Sequence, residues 1–536
     1  MMKNSMNIKL SIKVFFNKLR QLFMDKHSKR FVSNNFVVWK NSKKYNDSHS
    51  EILCELNGMH SAIISYSYAC NLLAKKHNAK IVAYSATIKS PFKSFLFTLI
   101  SSNLKKIYKS FNVSKFVVIR ISNKYEHQAN LIFESVYPKL KSKKDIENIE
   151  VEGVHIGDII YDDYLQTEKV PTIDLQDKKF ILSLKNSIKV YVFWKNYLID
   201  HDVRAINISH CCYNLAIPMR IAVRKDIPVY QFNATNAYRL TKKNQNSYND
   251  FVYFPDQFRK LSKTEQERGI AEAKRNLDRR FSGEVGVNMA YSTKSSYGRI
   301  KEESVLRKSS NIKVLIATHC FFDNPHPYGI NLFPDFYEWL SFLGEVSKKT
   351  NYDWYIKTHP DILPGNELIL NKFFEKYPKF TSLPSNTSHK QIIKEGINYT
   401  LTVYGTIGFE YAALGVPVIT ASICNPTIAY NFNIHPKTIE QYSEILMNLK
   451  SQQLIIDKNE VYEYYYMKFI YNTENWLFNN YSEMLTKVGG YKNQFKPHVY
   501  DYFLDELTKD KHMKLCKTIN DFIDSGDFRL NREHIH

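Results

Sequence analysis

The chain of 536 residues is poor in the residues that mark fibrous or low-complexity proteins. Glycine and proline number only 17 each, which excludes collagen-like and low-complexity architectures. The seven cysteines form no CxxC pair and no regular spacing, so we expect reduced thiols rather than a disulfide framework. No run of ~18–20 uncharged apolar residues occurs, and the longest candidate, Phe95–Ile100, is far too short to cross a bilayer.

A secretory signal is also missing from the N-terminal stretch. That stretch is apolar and basic, but it has no compact hydrophobic region and no small-residue cleavage site. The sequence therefore predicts a cytoplasmic protein. Apolar residues make up 44% and charged residues 24%, the balance of a folded chain, and the length predicts two or three domains.

Basic residues outnumber acidic ones in this chain. Lysine and arginine total 74 against 53 aspartates and glutamates, which gives a net charge of +21. Such an excess favours polyanionic surroundings: nucleic acid, anionic lipid or phosphorylated substrates. From Ile8 to Phe23, apolar residues recur at helical spacing beside lysines and arginines. This pattern is typical of a helix that lies on an anionic membrane surface, or of one that packs on its own protein.

The remaining chain alternates short apolar runs with amphipathic runs, the rhythm of βαβ units and parallel sheets. In the first half, strands are predicted at 51–56, 79–84, 115–120, 203–209 and 227–230, with helices at 61–76 and 215–224. In the second half, strands are predicted at 313–318, 352–357, 399–403 and 417–420, with helices at 335–348 and 407–414. The fold class predicted is α/β, with two Rossmann-like domains and helical N- and C-terminal extensions.

The predicted domain boundaries follow these changes of pattern. They are a basic amphipathic segment at 1–34, an N-terminal Rossmann-like domain at 35–250, a helical connection at 251–310, a C-terminal Rossmann-like domain at 311–450, and helices at 451–536 that pack back across the domains.

Ligands of open parallel sheets bind beyond the carboxyl ends of the strands, so the loops after the strands are the places to search. In the second domain, Lys357 and His359, the latter held by Pro360, could meet a phosphate. Gly405 and Thr406 open a helix, where backbone N–H groups favour an anion. One helical turn later, Glu410 could accept hydrogen bonds from sugar hydroxyls.

Three further side chains occupy comparable positions. His319 follows the strand that ends near Ala317, and it could bind ligand or cap its loop. In the first domain, Glu55 and His60 flank a polar turn and could act as a general base, or the turn could simply cap the next helix. No metal or other cofactor is expected. Asp162 directly precedes Asp163, whereas a metal-binding DxD motif has one residue between its aspartates, and His319 and His326 lack a third ligand at suitable spacing.

Two motifs together carry a resemblance. Residues 357–360 read KTHP and residues 404–419 read YGTIGFEYAALGVPVI. The stretch from about 313 to 435 resembles the nucleotide-sugar domain of glycosyltransferases with the two-Rossmann GT-B fold. It is most similar to the bacterial capsule and surface-polysaccharide group, which includes Kdo transferases, although the second motif of that group is usually rich in serine.

The resemblance implies roles for the motif residues. The HP motif and the threonine turn would contact the nucleotide and phosphate of the donor, which here concerns His359, Pro360, Gly405 and Thr406. Glu410, in a Glu-x4-Gly-x-Pro pattern, would bind ribose or sugar. Enzymes of this fold work without a bound metal and let protein groups carry the charge of the leaving phosphate.

The expected function is therefore transfer of a sugar from a nucleotide-activated donor to a surface-polysaccharide or lipid-linked glycan acceptor. A CMP-linked acidic sugar such as Kdo is the first expectation and a UDP-linked neutral sugar the second. The base would be His60, Glu55 or Asp158, in that order, and the enzyme would work at the inner face of the bacterial inner membrane. The alternatives are a nucleotide-sugar 2-epimerase and a basic nucleic-acid-binding protein. Because the basic residues are dispersed and no nucleic-acid module is present, a nucleic-acid partner is not expected.

Overall fold

The computed structural model describes residues 24–86, 102–290, 292, 294–359, 364–472 and 475–535. The predicted helix from Ile8 to Phe23 and the apolar run Phe95–Ile100 lie outside the described residues. Within these described ranges, no helix combines the length and the apolar character needed to cross a membrane.

The strands are short, as expected of a parallel α/β protein. They are β1 (Glu51–Glu55), β2 (Lys80–Ser85), β3 (Val113–Val118), β4 (Glu150–Val151), β5 (Val154–His155), β6 (Val203–Ile208), β7 (Val229–Phe232), β8 (Ala237–Leu240), β9 (Lys313–Ala317), β10 (Asp353–Lys357), β11 (Phe380–Leu383), β12 (Tyr399–Thr402) and β13 (Val418–Thr420).

The helices lie between and after these strands. The first ten are α1 (Lys26–Val38), α2 (His60–His77), α3 (Ser102–Ser110), α4 (Asn123–Val136), α5 (Lys143–Glu147), α6 (Gly157–Glu168), α7 (Lys178–Asp200), α8 (Ile217–Arg224), α9 (Phe254–Lys260) and α10 (Lys263–Ser282). The others are α11 (Phe336–Lys349), α12 (Asn366–Lys376), α13 (His389–Lys394), α14 (Ile407–Ala413), α15 (Ile439–Met447), α16 (Lys458–Tyr466), α17 (Tyr481–Lys487), α18 (Val499–Glu506), α19 (Lys509–Ser525) and α20 (Arg532–Ile535).

The first sheet has the order β3-β2-β1-β6-β7-β8. Its first five strands are parallel, and β8 returns antiparallel to β7. The helix α2 is buried from Ser61 to Ala74 on all sides, because the sheet covers one face and helices α18 and α19 contribute to the core on another.

The second sheet has the order β11-β10-β9-β12-β13, and all of its pairings are parallel. The chain runs outward from β9 to β11 and then returns to the other side of β9 with β12. Trp339, Leu340 and Leu343 of α11 pack with the strands in one apolar core. These two sheets, with helices before and after them, confirm the predicted α/β fold of two Rossmann-like domains with helical extensions.

The described residues form two compact units by their contacts. The first comprises those of 1–131, 186–245 and 474–536, and the second those of 132–185 and 246–473. Residues 132–185, within the predicted N-terminal domain, thus cluster with the second sheet. The predicted domain boundaries stay a prediction.

Candidate ligand-binding site

The second sheet ends in a group of polar loops at its carboxyl edge. Strand order reverses between β9 and β12, and at such a point the two following loops diverge and leave a crevice. A cavity of about 120 Å³ lies there. It brings together six of the predicted site residues: His319, Lys357, His359, Gly405, Thr406 and Glu410. Pro360 lies outside the described residues.

Lys357 is the last residue of β10 and is only 2% exposed. Its ammonium group has no hydrogen bond or ion pair with any residue that the structure describes. Burial lowers the pKa of Lys357 to about 8, although the charge of Glu410 acts in the opposite direction. At neutral pH the group is therefore still charged, and an unpaired buried charge is costly unless an anion joins it.

Glu410 lines the same cavity and is held by two side chains from distant parts of the sequence. The guanidinium of Arg280 donates two hydrogen bonds to Oε1, at 3.0 Å from Nε and 2.6 Å from Nη2. The hydroxyl of Tyr297 donates one to Oε2 at 2.8 Å. A carboxylate can accept about four hydrogen bonds, so one position on Oε2 is left for a ligand hydroxyl.

His319 is packed between two aromatic rings at the cavity wall. Its ring stacks on Phe336 with centroids 4.5 Å apart and lies 4.6 Å from that of Tyr404. Burial, with a smaller contribution from His359, lowers the pKa of His319 to about 3. The imidazole is thus neutral at pH 7 and offers a hydrogen bond rather than a charge to a ligand.

Gly405 is required by close packing. A Cβ atom at this position would lie 2.8 Å from Oγ1 of Thr402. That hydroxyl oxygen also accepts a hydrogen bond from the N–H of Gly405 at 3.1 Å and lies 3.2 Å from Nε2 of His319. Thr402 therefore ties the turn before Thr406 to the loop that carries His319.

Sequence reasoning missed Arg280, Tyr297 and His389. His389 begins α13 and is 5% exposed; its Nδ1 lies 2.7 Å from the hydroxyl of Tyr411. Burial, together with the nearby charges of Lys357 and Arg280, holds the pKa of His389 well below its ordinary value. No local motif surrounds these three residues, so the sequence carries no signal that would have found them.

At the first sheet, strand order reverses between β1 and β6. Glu55 ends β1, and its carboxylate accepts hydrogen bonds from Ser209, at 2.7 Å from the backbone N–H and 2.6 Å from the hydroxyl. Burial raises the pKa of Glu55 to about 7, against the lowering effect of these two bonds. His60 lies at the start of α2, with Nδ1 2.8 Å from the hydroxyl of Tyr500, and burial lowers its pKa to about 4.

Asp158, the third predicted base, lies elsewhere. It is in the first turn of α6, within the second compact unit, whereas His60 and Glu55 belong to the first. Its carboxylate accepts a hydrogen bond from the N–H of Ile159 at 2.9 Å. Across the described ranges, no group of three or more His, Cys, Asp or Glu side chains is arranged to hold a metal ion.

The chain matches no protein-family model and no curated protein. Among solved structures, it is similar to the β-Kdo 2,4 transferase KpsC of Thermosulfurimonas dismutans, with 11% identity over 49% of this chain and 79% of that one, at a TM-score of 0.30. It is also similar to the UDP-GlcNAc 2-epimerase of Neisseria meningitidis, with 10% identity over 79% and 98% and a TM-score of 0.19. A third similar structure is the wall teichoic acid polymerase TagF, with 10% identity over 92% and 99% and a TM-score of 0.19. At TM-scores this low, the similarities carry no argument about function.

Proposed function

We propose that the protein is a glycosyltransferase that binds a nucleotide-activated sugar at the cavity of the second sheet. The donor proposed first is a CMP-linked acidic sugar, and the acceptor is a surface-polysaccharide or lipid-linked glycan. The excess of positive charge suits work at an anionic membrane surface, which we propose to be the inner face of the bacterial inner membrane.

The observation that carries the proposal is the buried ammonium of Lys357. A buried ammonium is stabilised when an anion binds beside it. Lys357 lines a cavity at the point where the strand order of a parallel sheet reverses. Thr406 and His359 line the same cavity, and a hydroxyl and an imidazole are groups that can hydrogen-bond to phosphate oxygens. A phosphate bound there would be the leaving group, and the lysine charge would stabilise it as the glycosidic bond breaks.

Glu410 is proposed to orient the ribose or the sugar. Its carboxylate is fixed by Arg280 and Tyr297, so the remaining acceptor position points in a defined direction. A hydrogen bond to a charged group is worth about 1.5–3 kcal/mol. Since the carboxylate does not have to be reorganised on binding, most of this energy would be available to the ligand.

Glu55 is the proposed base for activating the acceptor hydroxyl, ahead of His60 and Asp158. A base works best when its pKa lies near the working pH. Burial raises the pKa of Glu55 to about 7 and lowers that of His60 to about 4. The neutral His60 is therefore a weak base, whereas Glu55 is suited to take a proton near neutral pH.

The nucleotide site can be tested by calorimetry with CMP, CDP, UDP and GDP. At least one should bind the wild-type protein, and Lys357→Met should weaken that binding about tenfold or more, by losing a charge-assisted hydrogen bond. Lys372→Met is the matched control, because Lys372 is an exposed lysine on α12. No binding of any nucleotide, or equal binding by the Lys357 variant, would contradict the proposal.

Incubation with a nucleotide sugar then separates the catalytic alternatives. A transferase releases nucleotide only when an acceptor glycan is present, apart from slow hydrolysis. A 2-epimerase would instead change the sugar of UDP-GlcNAc without any acceptor, and that result would replace the transferase proposal.

A further inference from the structure

A second cavity, of about 130 Å³, adjoins the turn formed by Gly405 and Thr406, and both residues line both cavities. Its other walls come from the loop after β13, from Tyr328 and Tyr404, and from the end of α16. It has room for more than a single water molecule. A ligand that binds at Lys357 and extends past Thr406 would enter it.

The polar side chains that line one part of this cavity form hydrogen bonds with neighbouring protein groups. The amide of Asn425 donates to the carbonyl of Ser422 at 3.0 Å, and its oxygen accepts from the hydroxyl of Thr427 at 2.7 Å. Asn433 donates to the same threonine hydroxyl at 3.0 Å. These groups therefore fix the shape of the wall, and they have little hydrogen-bonding capacity left for a ligand.

Lys468 also lines this cavity and brings a positive charge to it. Its ammonium lies 5.8 Å from the ring centroid of Tyr328, 5.7 Å from that of Tyr464 and 5.8 Å from that of Phe469. Rings at these distances attract a cation through their π electrons. The three rings thus hold the charge at the edge of the cavity.

The backbone at Lys468 has an unusual conformation. Residues Met467–Tyr471 continue α16 as a π-helical turn. Such turns are rare and occur frequently at functional sites. Because the wider turn changes the direction of the side chains from those of a regular helix, it sets where Lys468 and Phe469 point.

We propose that this cavity binds a second anionic group of the ligand whose phosphate is held by Lys357, with Lys468 as its charge partner. The inference rests on the proposed function and adds to it the charge pattern of the donor. The anionic group is either the carboxylate of an acidic sugar or the second phosphate of a nucleoside diphosphate. Thr406, which lines both cavities, would contact the ligand between the two anionic groups.

Calorimetry with the full chain tests this with three probes: CMP, CDP and CMP-N-acetylneuraminic acid. Lys468→Met keeps an unbranched side chain against the rings and removes the charge. We expect CMP to bind the variant as it binds the wild type, and one of the other two probes to bind about ten- to a hundredfold more weakly. Lys458→Met, an exposed change at the start of α16, should bind all three like the wild type.

The probes identify the source of the second anion. Selective loss of CDP binding would assign the cavity to a second phosphate, and selective loss of the acidic-sugar probe would assign it to a carboxylate. Equal weakening of all three probes, or no weakening, would overturn the inference while leaving the nucleotide site intact. If the wild type binds no probe at all, the proposed function fails and the inference fails with it.

Discussion

The imidazole of His326 and the carboxylate of Asp162 form a buried ion pair, with Nδ1 and Oδ1 2.6 Å apart. The other ring nitrogen, Nε2, lies 2.8 Å from Oε1 of Glu147, and all three side chains are at most 2% exposed. Burial alone would lower the pKa of His326, but the two carboxylates outweigh it and raise the pKa to about 10. A doubly protonated imidazole therefore joins α5 and α6 to the loop after β9.

The first prediction concerns this group of three charges. His326→Gln would remove the counter-charge of the buried Asp162 carboxylate and would leave Glu147 paired with Lys144, whose ammonium lies 3.1 Å from Oε2. Breaking a buried pair costs about 3–5 kcal/mol. We expect a loss of that size in urea unfolding at pH 7. Asp162→Asn serves as the milder comparison, because it removes one carboxylate and leaves the imidazolium paired with Glu147.

The stabilisation that His326 provides should depend on pH, and the direction follows from its pKa. The folded-state pKa of His326, about 10, lies above the ordinary 6.5. The stabilisation is therefore complete below pH 6.5 and is lost as the pH rises towards 10. The difference between wild type and His326→Gln should shrink between pH 7 and pH 9.5, and a difference that stays constant would contradict a charged imidazole.

The second prediction concerns the proton on Lys357. Its folded-state pKa, about 8, lies below the ordinary 10.5, so the cost of the buried charge is present below pH 8 and disappears as the pH rises to 10.5. Lys357→Met should therefore be at least as stable as the wild type at pH 7. A clear loss of stability at pH 7 would show that the ammonium has a stabilising partner in the folded chain.

The affinity for a phosphate ligand should depend on the same proton. Above pH 8 the free protein must take up a proton to restore the charge of Lys357, so the affinity should fall by up to about tenfold per pH unit. Phosphate itself has already lost its second proton by then. Calorimetry from pH 7 to pH 9.5 would measure this, and the profile of Lys357→Met should be flat by comparison.

The third prediction concerns close packing at the start of α6. A Cβ atom on Gly157 would lie 2.1 Å from the carbonyl oxygen of Ile146 and 2.3 Å from that of Glu147. Both are backbone atoms and cannot move aside, so Gly157→Ala should be strongly destabilising. At Gly298 nothing lies within 4 Å of the added atom, and Gly298→Ala should unfold at the same urea concentration as the wild type.

The fold could be predicted because apolar runs between polar loops mark buried strands. The predicted strand at 313–318 is observed as β9 (Lys313–Ala317), and that at 352–357 as β10 (Asp353–Lys357). By contrast, β3 begins two residues earlier than predicted, at Val113. The sequence pattern predicts no element at α7 (Lys178–Asp200). Within this helix, the run from Val190 to Trp194 is β-branched and aromatic and has the composition of a strand.

The candidate site could be predicted only where it follows a strand. Lys357 and Thr406 are predictable because a parallel sheet brings its strand ends to one edge. Arg280 lies 130 residues from Glu410 in the sequence, and Tyr297 lies 113 residues from it. These hydrogen bonds depend on how the helical connection packs on the sheet. The local pattern of apolar and polar residues gives no information about that packing.

The last prediction separates catalysis from binding at Glu55. The carboxylate is fixed by two hydrogen bonds from Ser209, and Glu55→Gln keeps the shape and one acceptor oxygen while removing the ability to take a proton. We expect transfer to fall by roughly 10²–10⁴-fold, the usual contribution of a positioned base. Nucleotide binding should be unchanged, because Glu55 and the nucleotide cavity belong to different sheets.

The pH profile adds a second readout for Glu55. Its folded-state pKa of about 7 lies above the ordinary 4.5, so the carboxyl group is stabilising in its protonated form, and this contribution is lost as the pH rises from 4.5 through 7. Transfer by the wild type should increase over the upper part of that range, as the base loses its proton. If Glu55→Gln retains full activity while the matching change His60→Gln abolishes it, the base is His60.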